Sequence, residues 1–158
     1  MNFFNYKLEK KEIHKSSFHT DKYILLVEDE HAIAEVQYSI LTQEPLKHRV
    51  DIAHDGEMAI ELSNKNNYDL ISLDYALPGK TNGMDVYTHL RKANKSIPIL
   101  FISGNIEFLE STKSLKQKDF LIDHLSKPCS NSDYLKSINE LLEKNSIKEI
   151  GNPIAKLN

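Results

Sequence analysis

A chain of 158 residues is long enough for one domain with short terminal segments and leaves little room for a second domain. Its 20 Lys and Arg and its 23 Asp and Glu give a formal net charge of −3, which argues against sequence-independent binding to DNA. One cysteine, Cys129, excludes an intrachain disulfide, and every apolar run is too short to span a bilayer. We therefore expect a cytoplasmic protein that binds neither nucleic acid nor membrane directly.

The two ends of the chain differ in pattern from its middle. Residues 1–20 are polar and lysine-rich, and we expect a flexible N-terminal extension there. A regular alternation of apolar patterns begins at Tyr23, and the last helix must stop near Gly151 and Pro153. These boundaries predict an extension over residues 1–20, one domain over residues 21–146 and a C-terminal tail over residues 147–158.

Five short apolar runs predict strands that are buried on both faces, as in a parallel sheet. In chain order they cover residues 23–27, 49–53, 70–73, 97–102 and 120–125. The stretch after each run has helical spacing, with 106–115 as the fourth helix. The expected core faces of the other four helices are Ala32, Val36 and Ile40; Met58, Ala59 and Leu62; Met84, Tyr87 and Leu90; and Leu135, Ile138 and Leu142. This alternation predicts an α/β fold with a doubly wound, five-stranded parallel sheet and five helices.

Polar side chains follow four of the five predicted strands. The carboxyl ends of the strands form the ligand crevice in such sheets. The residues at those ends are Glu28 and Asp29 after the first strand, Asp74 after the third, Ser103 after the fourth and Lys127 after the fifth. Each residue alone has an ordinary explanation as part of a turn, a helix start or a solvated surface. Their common position at the strand ends indicates one site.

The chemistry of this set favours a bound cation and a phosphoryl group. Several carboxylates in one pocket raise one another's pKa, and a divalent cation relieves that repulsion. Oxygen ligands that leave room for water and phosphate oxygens suit Mg²⁺. A lysine and a hydroxyl opposite them suit the equatorial oxygens of a phosphoryl group, which need positive charge and hydrogen-bond donors.

Six ordered motifs resemble the receiver domain of bacterial response regulators over about residues 23–145. They are Ile-Leu-Leu-Val-Glu-Asp-Glu at 24–30, Ala-His-Asp-Gly-Glu-Met-Ala at 53–59, Tyr-Asp-Leu-Ile-Ser-Leu-Asp at 68–74, Leu-Pro at 77–78, Pro-Ile-Leu-Phe-Ile-Ser-Gly at 98–104 and Ser-Lys-Pro at 126–128. The resemblance implies a flavodoxin-like sheet with strand order 2-1-3-4-5. It also implies a response regulator in a two-component phosphorelay. Many members of that family carry a DNA-binding output domain, and because this chain has none we expect a stand-alone regulator.

The resemblance assigns a role to each residue of the site. Asp74 is the implied phosphoacceptor, which takes the phosphoryl group from a sensor histidine kinase or a phosphotransfer protein. Ser103 and Lys127 are implied to bind the transferred group. The implied Mg²⁺ ligands are Glu28, Asp29, Asp74 and the backbone carbonyl of Ala76. Phosphorylation would shift a two-state equilibrium through Ser103 and expose a changed surface to a downstream protein target, with a homodimer as a further option.

Two positions depart from the pattern of that family. Four residues separate Pro78 from Gly83, where the family usually has three, and we expect Asn82 or Thr81 to cap the next helix and Gly83 to have a positive φ. The aromatic switch position holds His124. An imidazole there could pack inward or outward as the usual ring does, and the alternative is an ordinary, partly exposed histidine.

Other functions stay open at this point. A receiver-like module that signals by protein binding without phosphorylation has the same fold. An aspartyl-phosphate phosphatase needs a second Asp where Ala76 is found, and a flavin protein needs a phosphate-binding loop where Glu28, Asp29 and Glu30 are found. We therefore expect no enzyme in the usual sense, with at most self-phosphorylation and slow self-dephosphorylation.

Overall fold

The computed structural model describes residues 21–93 and 95–151, so the predicted N-terminal extension and the residues after Gly151 lie outside the described residues. Strands and helices alternate throughout. The strands are β1 (Tyr23–Val27), β2 (Arg49–Ala53), β3 (Leu70–Asp74), β4 (Ile99–Ser103) and β5 (Ile122–Ser126). The helices are α1 (His31–Thr42), α2 (Gly56–Lys65), α3 (Gly83–Lys92), α4 (Ile106–Lys118) and α5 (Asn131–Gly151). Helix α5 continues past residue 146, where we placed the start of the tail. Within this part of the chain no helix has the length and apolar character that a membrane span requires.

The predicted strand bounds hold for β1 and β2 and shift for the others. β3 is one residue longer and includes Asp74, while β4 and β5 each begin two residues later than predicted and end one residue later. Strand β4 starts late because Pro98 has no N–H to donate to a neighbouring strand. The first backbone hydrogen bond from β4 toward β5 is therefore donated by the N–H of Ile99 to the carbonyl of Leu121 at 2.9 Å. Phe120, predicted as a strand residue, is 56% exposed and precedes the sheet.

All five strands are parallel, in the order β2-β1-β3-β4-β5 that the resemblance implied. The register brings the carboxyl ends of the strands together. Val27 is opposite both Ala53 and Leu73, and Ser103 is opposite Ser126. The residues that follow β1, β3, β4 and β5 therefore meet at one edge of the sheet.

Alternate strand residues pack on opposite faces of the sheet, and each face has its own core. On β4, Ile99 and Phe101 join the core under α2, α3 and α4, while Leu100 and Ile102 join the core under α1 and α5. Burial on both faces explains why the strand sequences are continuously apolar instead of alternating.

The predicted core face of α1 is wrong. The buried residues of this helix are Ala34, Gln37 and Leu41, whereas Val36 is 50% exposed and Ala32 is also exposed. Apolar residues occur on several sides of α1, so their spacing fits more than one face. On α2, Ala59 is buried as predicted and Met58 is 39% exposed.

The predicted core faces of α3 and α5 are mainly confirmed. On α3, Leu90 is fully buried, and Met84 and Tyr87 pack against the core while partly exposed. On α5, Ile138 and Leu142 are buried. These two helices each present a single apolar side, so the spacing of their residues identified the face that packs.

The start of α3 is fixed by a cap and by a close backbone approach. Asn82 is the N-cap and accepts from the N–H groups of Met84 and Asp85 at 2.8 and 3.0 Å. Asp85 accepts in return from the N–H of Asn82, which completes a capping box. The positive φ expected at Gly83 occurs instead at Gly79, with φ of 90°. Gly83 is needed because a Cβ there would lie 2.6 Å from the carbonyl oxygen of Asp74.

Replacing Gly83 with Ala should therefore destabilise the fold, since the atoms that the new Cβ meets are backbone atoms that follow β3. We expect a loss of roughly 1–3 kcal/mol in the free energy of unfolding, measured by urea denaturation. Gly104→Ala is the matched control, because its Cβ would meet only the Lys127 Cβ at 3.9 Å. Equal stability of the two variants would contradict the steric explanation.

Candidate functional site

One ammonium group joins two buried carboxylates at the carboxyl edge of the sheet. Lys127 Nζ donates to Asp74 Oδ2 at 2.5 Å and to Glu28 Oε2 at 3.0 Å. Glu28 is 1% exposed and Asp74 is 4% exposed, so neither carboxylate has much water to solvate it. The three residues come from the ends of β1, β3 and β5, and the sheet brings them together as the sequence predicted.

Asp29 completes an acidic cluster with the two buried carboxylates. Ligand oxygens of Glu28, Asp29 and Asp74 all lie within 4.8 Å of one another, and the group could hold a metal ion. Oxygen ligands of this kind suit a hard divalent cation. When all are ionised, three carboxylates and the one ammonium of Lys127 leave a formal excess of two negative charges, which a divalent cation would balance.

Burial and charge act in opposite directions on the residues of this cluster. Burial raises the pKa of the Glu28 carboxyl, and the hydrogen bond from Lys127 only partly offsets that effect. Burial lowers the pKa of the Lys127 ammonium, but its hydrogen bonds to Asp74 and Glu28 outweigh burial and leave that pKa above its usual value. Lys127 therefore stays charged at neutral pH.

Ser103 and Lys127 are held side by side through the backbone. The N–H of Lys127 donates to the carbonyl of Ser103 at 2.9 Å. Ser103 is 1% exposed, and its hydroxyl oxygen accepts from the N–H of Asn105 at 3.0 Å. That bond uses the oxygen of Ser103 as an acceptor, so its O–H remains a donor. The peptide bond between Lys127 and Pro128 is cis.

The longer loop between β3 and α3 packs against the start of α2. Thr81 Oγ1 donates to Glu57 Oε1 at 2.9 Å, and a Cβ on Gly56 would lie 2.3 Å from the Thr81 carbonyl oxygen. Nearer the acidic cluster, the N–H of Ala76 donates to Asp74 Oδ1 at 2.9 Å and orients that carboxylate. The role of the Ala76 carbonyl as a metal ligand stays a prediction.

Three contacts near the site were not foreseen from the sequence. The Tyr75 ring, directly after Asp74, stacks on Phe108 of α4 with centroids 3.7 Å apart and planes 14° apart. His54 Nδ1 lies 2.9 Å from the carbonyl oxygen of Glu28, and the His31 and His54 rings contact each other at 4.1 Å. The aromatic residue next to the predicted phosphoacceptor was the available signal for the first contact, whereas the histidines meet only through the fold.

His124 lies on β5, opposite Phe101 of β4, with its side chain 25% exposed. Burial and the nearby charge of Lys116 lower the pKa of its imidazole, so the ring is neutral at neutral pH. Its Nδ1 is buried without a hydrogen-bond partner in the described part of the chain and lies 3.9 Å from Asp123 Oδ1. A role for this ring as the switch stays a prediction.

The sequence and the fold are similar to those of known receiver domains. Residues 24–139 match the model of the response regulator receiver domain. The transcriptional regulatory protein CusR of Escherichia coli strain K12 is 35% identical over 123 residues, covering 77% of this chain and 51% of CusR. The receiver domain of the Francisella response regulator 1452 superimposes with a TM-score of 0.68 at 26% identity, covering 79% of this chain and 99% of that chain. A CheY-like receiver domain protein from Methanospirillum hungatei JF-1 shares the fold, with a TM-score of 0.70 at 23% identity over 82% of this chain and 99% of that chain.

The chain belongs to the response regulator receiver domain family, since the family model covers most of its length. It is a receiver domain of the two-component type, as the resemblance of its motifs predicted. It spans about half the length of CusR, 51%, and a quarter of the luminescence regulatory protein LuxO of Vibrio campbellii, 25%.

Removing the shared ammonium should destabilise the fold. Lys127→Met leaves Glu28 and Asp74 buried without a positive partner, and breaking a buried ion pair costs about 3–5 kcal/mol. We expect the lower end of that range, because the Lys127 side chain is 25% exposed. Urea denaturation in the presence of a chelator measures the change in the free energy of unfolding.

The matched control for this measurement is Lys113→Met. Lys113 pairs with Glu110 on the surface of α4, where both side chains are 63% exposed, so its removal should cost at most about 1 kcal/mol. A Lys127→Met variant that is as stable as the Lys113→Met variant would show that the carboxylates do not depend on the ammonium.

Proposed function

We propose that this receiver domain accepts a phosphoryl group on Asp74 from a sensor histidine kinase or a phosphotransfer protein, in a reaction that requires Mg²⁺. The observation that carries the proposal is the contact of Lys127 with both Asp74 and Glu28, beside the carboxylate of Asp29. The contact supports the proposal because a phosphoryl group on Asp74 would need positive charge beside its oxygens.

The proposed chemistry is a direct transfer between the donor and Asp74. A carboxylate oxygen of Asp74 forms a bond to phosphorus as the bond from phosphorus to the donor's imidazole nitrogen breaks. The electron pair of the broken bond stays on that nitrogen, and the imidazole leaves as the neutral ring because its other nitrogen already carries a proton. The N–H of Ala76 holds Asp74 Oδ1, which fixes the orientation of the carboxylate for attack. Lys127 then exchanges part of its contact with Asp74 for the phosphoryl oxygens.

The metal site is proposed from the same residues. Asp29 and Asp74 would bind Mg²⁺ directly, Glu28 would do so mainly through water, and the backbone carbonyl of Ala76 would be a further ligand. The oxygen-only character of the cluster and its formal excess of negative charge fit that ion. When bound, Mg²⁺ supplies charge stabilisation for the oxygens around phosphorus.

Ser103 is proposed to connect the phosphoryl group with the output surface. Its buried hydroxyl can donate to the new phosphoryl oxygens, and it is joined by backbone to Lys127 and followed by α4. Donation from Ser103 would favour one of two conformers, and His124 on β5 would respond as the switch residue. A downstream protein that binds α4, β5 and α5, or a second copy of the chain, would detect the change. Slow hydrolysis of the acyl phosphate would reset it.

Phosphorylation of Asp74 is tested by intact mass after incubation with Mg²⁺ and acetyl phosphate. The expected result is the gain of one phosphoryl group, which Asp74→Asn abolishes. Asp55→Asn is the matched control, since Asp55 caps α2 through a 2.7 Å bond from the N–H of Met58 and Asn is an equally good cap. An unmodified chain would favour the phosphorylation-independent binding module, and modification that survives Asp74→Asn would show that another residue accepts the phosphoryl group.

Metal dependence is tested by titrating Mg²⁺ in the same reaction. Asp29→Asn should raise the Mg²⁺ concentration for half-maximal phosphorylation by at least about tenfold, or about 1.4 kcal/mol, because it removes a charged ligand. Glu30→Gln is the matched control, as the adjacent Glu30 is exposed and outside the acidic cluster. Equal Mg²⁺ titration curves for the two variants would show that Asp29 is not a metal ligand.

The division of the chain into an extension, a domain and a tail at residues 20 and 146 stays a prediction. The cytoplasmic location also stays a prediction.

A further inference from the structure

A small charge network links β5 with the two helices that flank it, and Asp123 is its centre. Asp123 Oδ1 accepts from Lys116 Nζ of α4 at 2.5 Å and from the backbone N–H of His124 at 2.8 Å. Asp123 Oδ2 lies 3.7 Å from Lys144 Nζ of α5. Burial raises the pKa of the Asp123 carboxyl, but the hydrogen bonds from Lys116 and from the N–H of His124 outweigh burial and leave that pKa below its usual value. Asp123 therefore stays negatively charged in neutral and mildly acidic solution.

The imidazole of His124 lies beside this network without being joined to it. Its Nδ1 has almost no exposed surface, makes no hydrogen bond within residues 21–93 and 95–151, and lies 3.9 Å from Asp123 Oδ1. That distance is about 1 Å too long for a hydrogen bond between nitrogen and oxygen. A buried nitrogen without a partner costs free energy, so the ring would gain by a short movement toward the carboxylate.

Charged groups from both flanking helices and from β5 itself surround the ring. They are Glu110, Lys113 and Lys116 of α4, Asp123 of β5 and, on the other side of Asp123, Lys144 of α5. On β4 the residue opposite His124 is Phe101, which has no charge. Burial and the positive charge of Lys116 lower the pKa of the imidazole, so the ring takes up a proton at a lower pH than an ordinary histidine.

A proton on the ring changes which donor Asp123 Oδ1 can hold. One carboxylate oxygen has room for about two donors, and both places on Oδ1 are occupied. A charged N–H forms a hydrogen bond about twice as strong as that of a neutral ring, so a protonated imidazole competes well for this oxygen. The backbone N–H of His124 belongs to the next residue of the chain and cannot leave. Lys116 is therefore the donor that a charged ring displaces, and Lys144 already lies beside the other oxygen.

We propose that His124 is a proton-operated switch of the surface formed by α4, β5 and α5: the protonated ring pairs with Asp123 through Nδ1–H, displaces Lys116 and so releases the end of α4 from β5. The ring takes one proton from water, which reaches it because the side chain is 25% exposed, and Asp123 stays ionised throughout. The switch needs neither phosphorylation of Asp74 nor a metal ion, so its failure would leave the function proposed for Asp74 standing.

The first test follows the unphosphorylated full chain by NMR in the presence of a chelator, from about pH 8 to about pH 5. The imidazole signals of His124 and the side-chain signals of Lys116 should inflect at one common pH, below the pH at which an ordinary histidine titrates. His124→Gln should abolish the inflection of Lys116. His89→Gln is the matched control and should retain it, because His89 lies on α3 and contacts Asn64.

The second test changes the charge that competes with the ring. Lys116→Met should increase the proton affinity of His124 about threefold to tenfold, because it removes both a repelling charge and the donor that the ring must displace. Lys118→Met is the matched control, since Lys118 is exposed on the same helix and is not one of the charges that act most strongly on the ring. A Lys116 signal that does not follow the ring, a ring that titrates like an ordinary histidine, or equal midpoints in the two lysine variants would each overturn the proposal.

Discussion

The site depends on one ammonium group that is shared by two buried carboxylates. Lys127 holds Asp74 at 2.5 Å and Glu28 at 3.0 Å in a place where water reaches neither acid easily. Burial by itself raises the pKa of the Glu28 carboxyl and lowers the pKa of the Lys127 ammonium. Their mutual contact keeps the lysine charged and the carboxylates close to Asp29. Under the proposed function, a cation or a phosphoryl group would take over one of these contacts.

The parallel register is what brings these groups within reach of one another. Glu28 and Lys127 are 99 positions apart in the chain, yet both follow strands that end at the same edge of the sheet. Helix α3 packs closely against this edge of the sheet, because Gly83 has no side chain and can lie against the backbone carbonyl of Asp74. The stack of Tyr75 on Phe108 then joins the residue after Asp74 to α4. The residue that follows Asp74 is therefore in direct contact with α4.

The sequence by itself determined the fold class, the strands β1 and β2, and a cap at Asn82 or Thr81. It also determined that Glu28, Asp29, Asp74, Ser103 and Lys127 lie at one edge of the sheet. These features depend on local patterns, namely continuous apolar runs, a capping residue and polar residues directly after strands. Only the tertiary structure decided which face of α1 is buried, why Gly83 must be glycine and that the extra loop residue packs against Gly56. Apolar spacing on α1 fits more than one face, and the choice among them is made by what the helix packs against. The need for glycine comes from the backbone of Asp74 and Tyr75, against which the loop after β3 folds back, and no local pattern in the sequence records that approach.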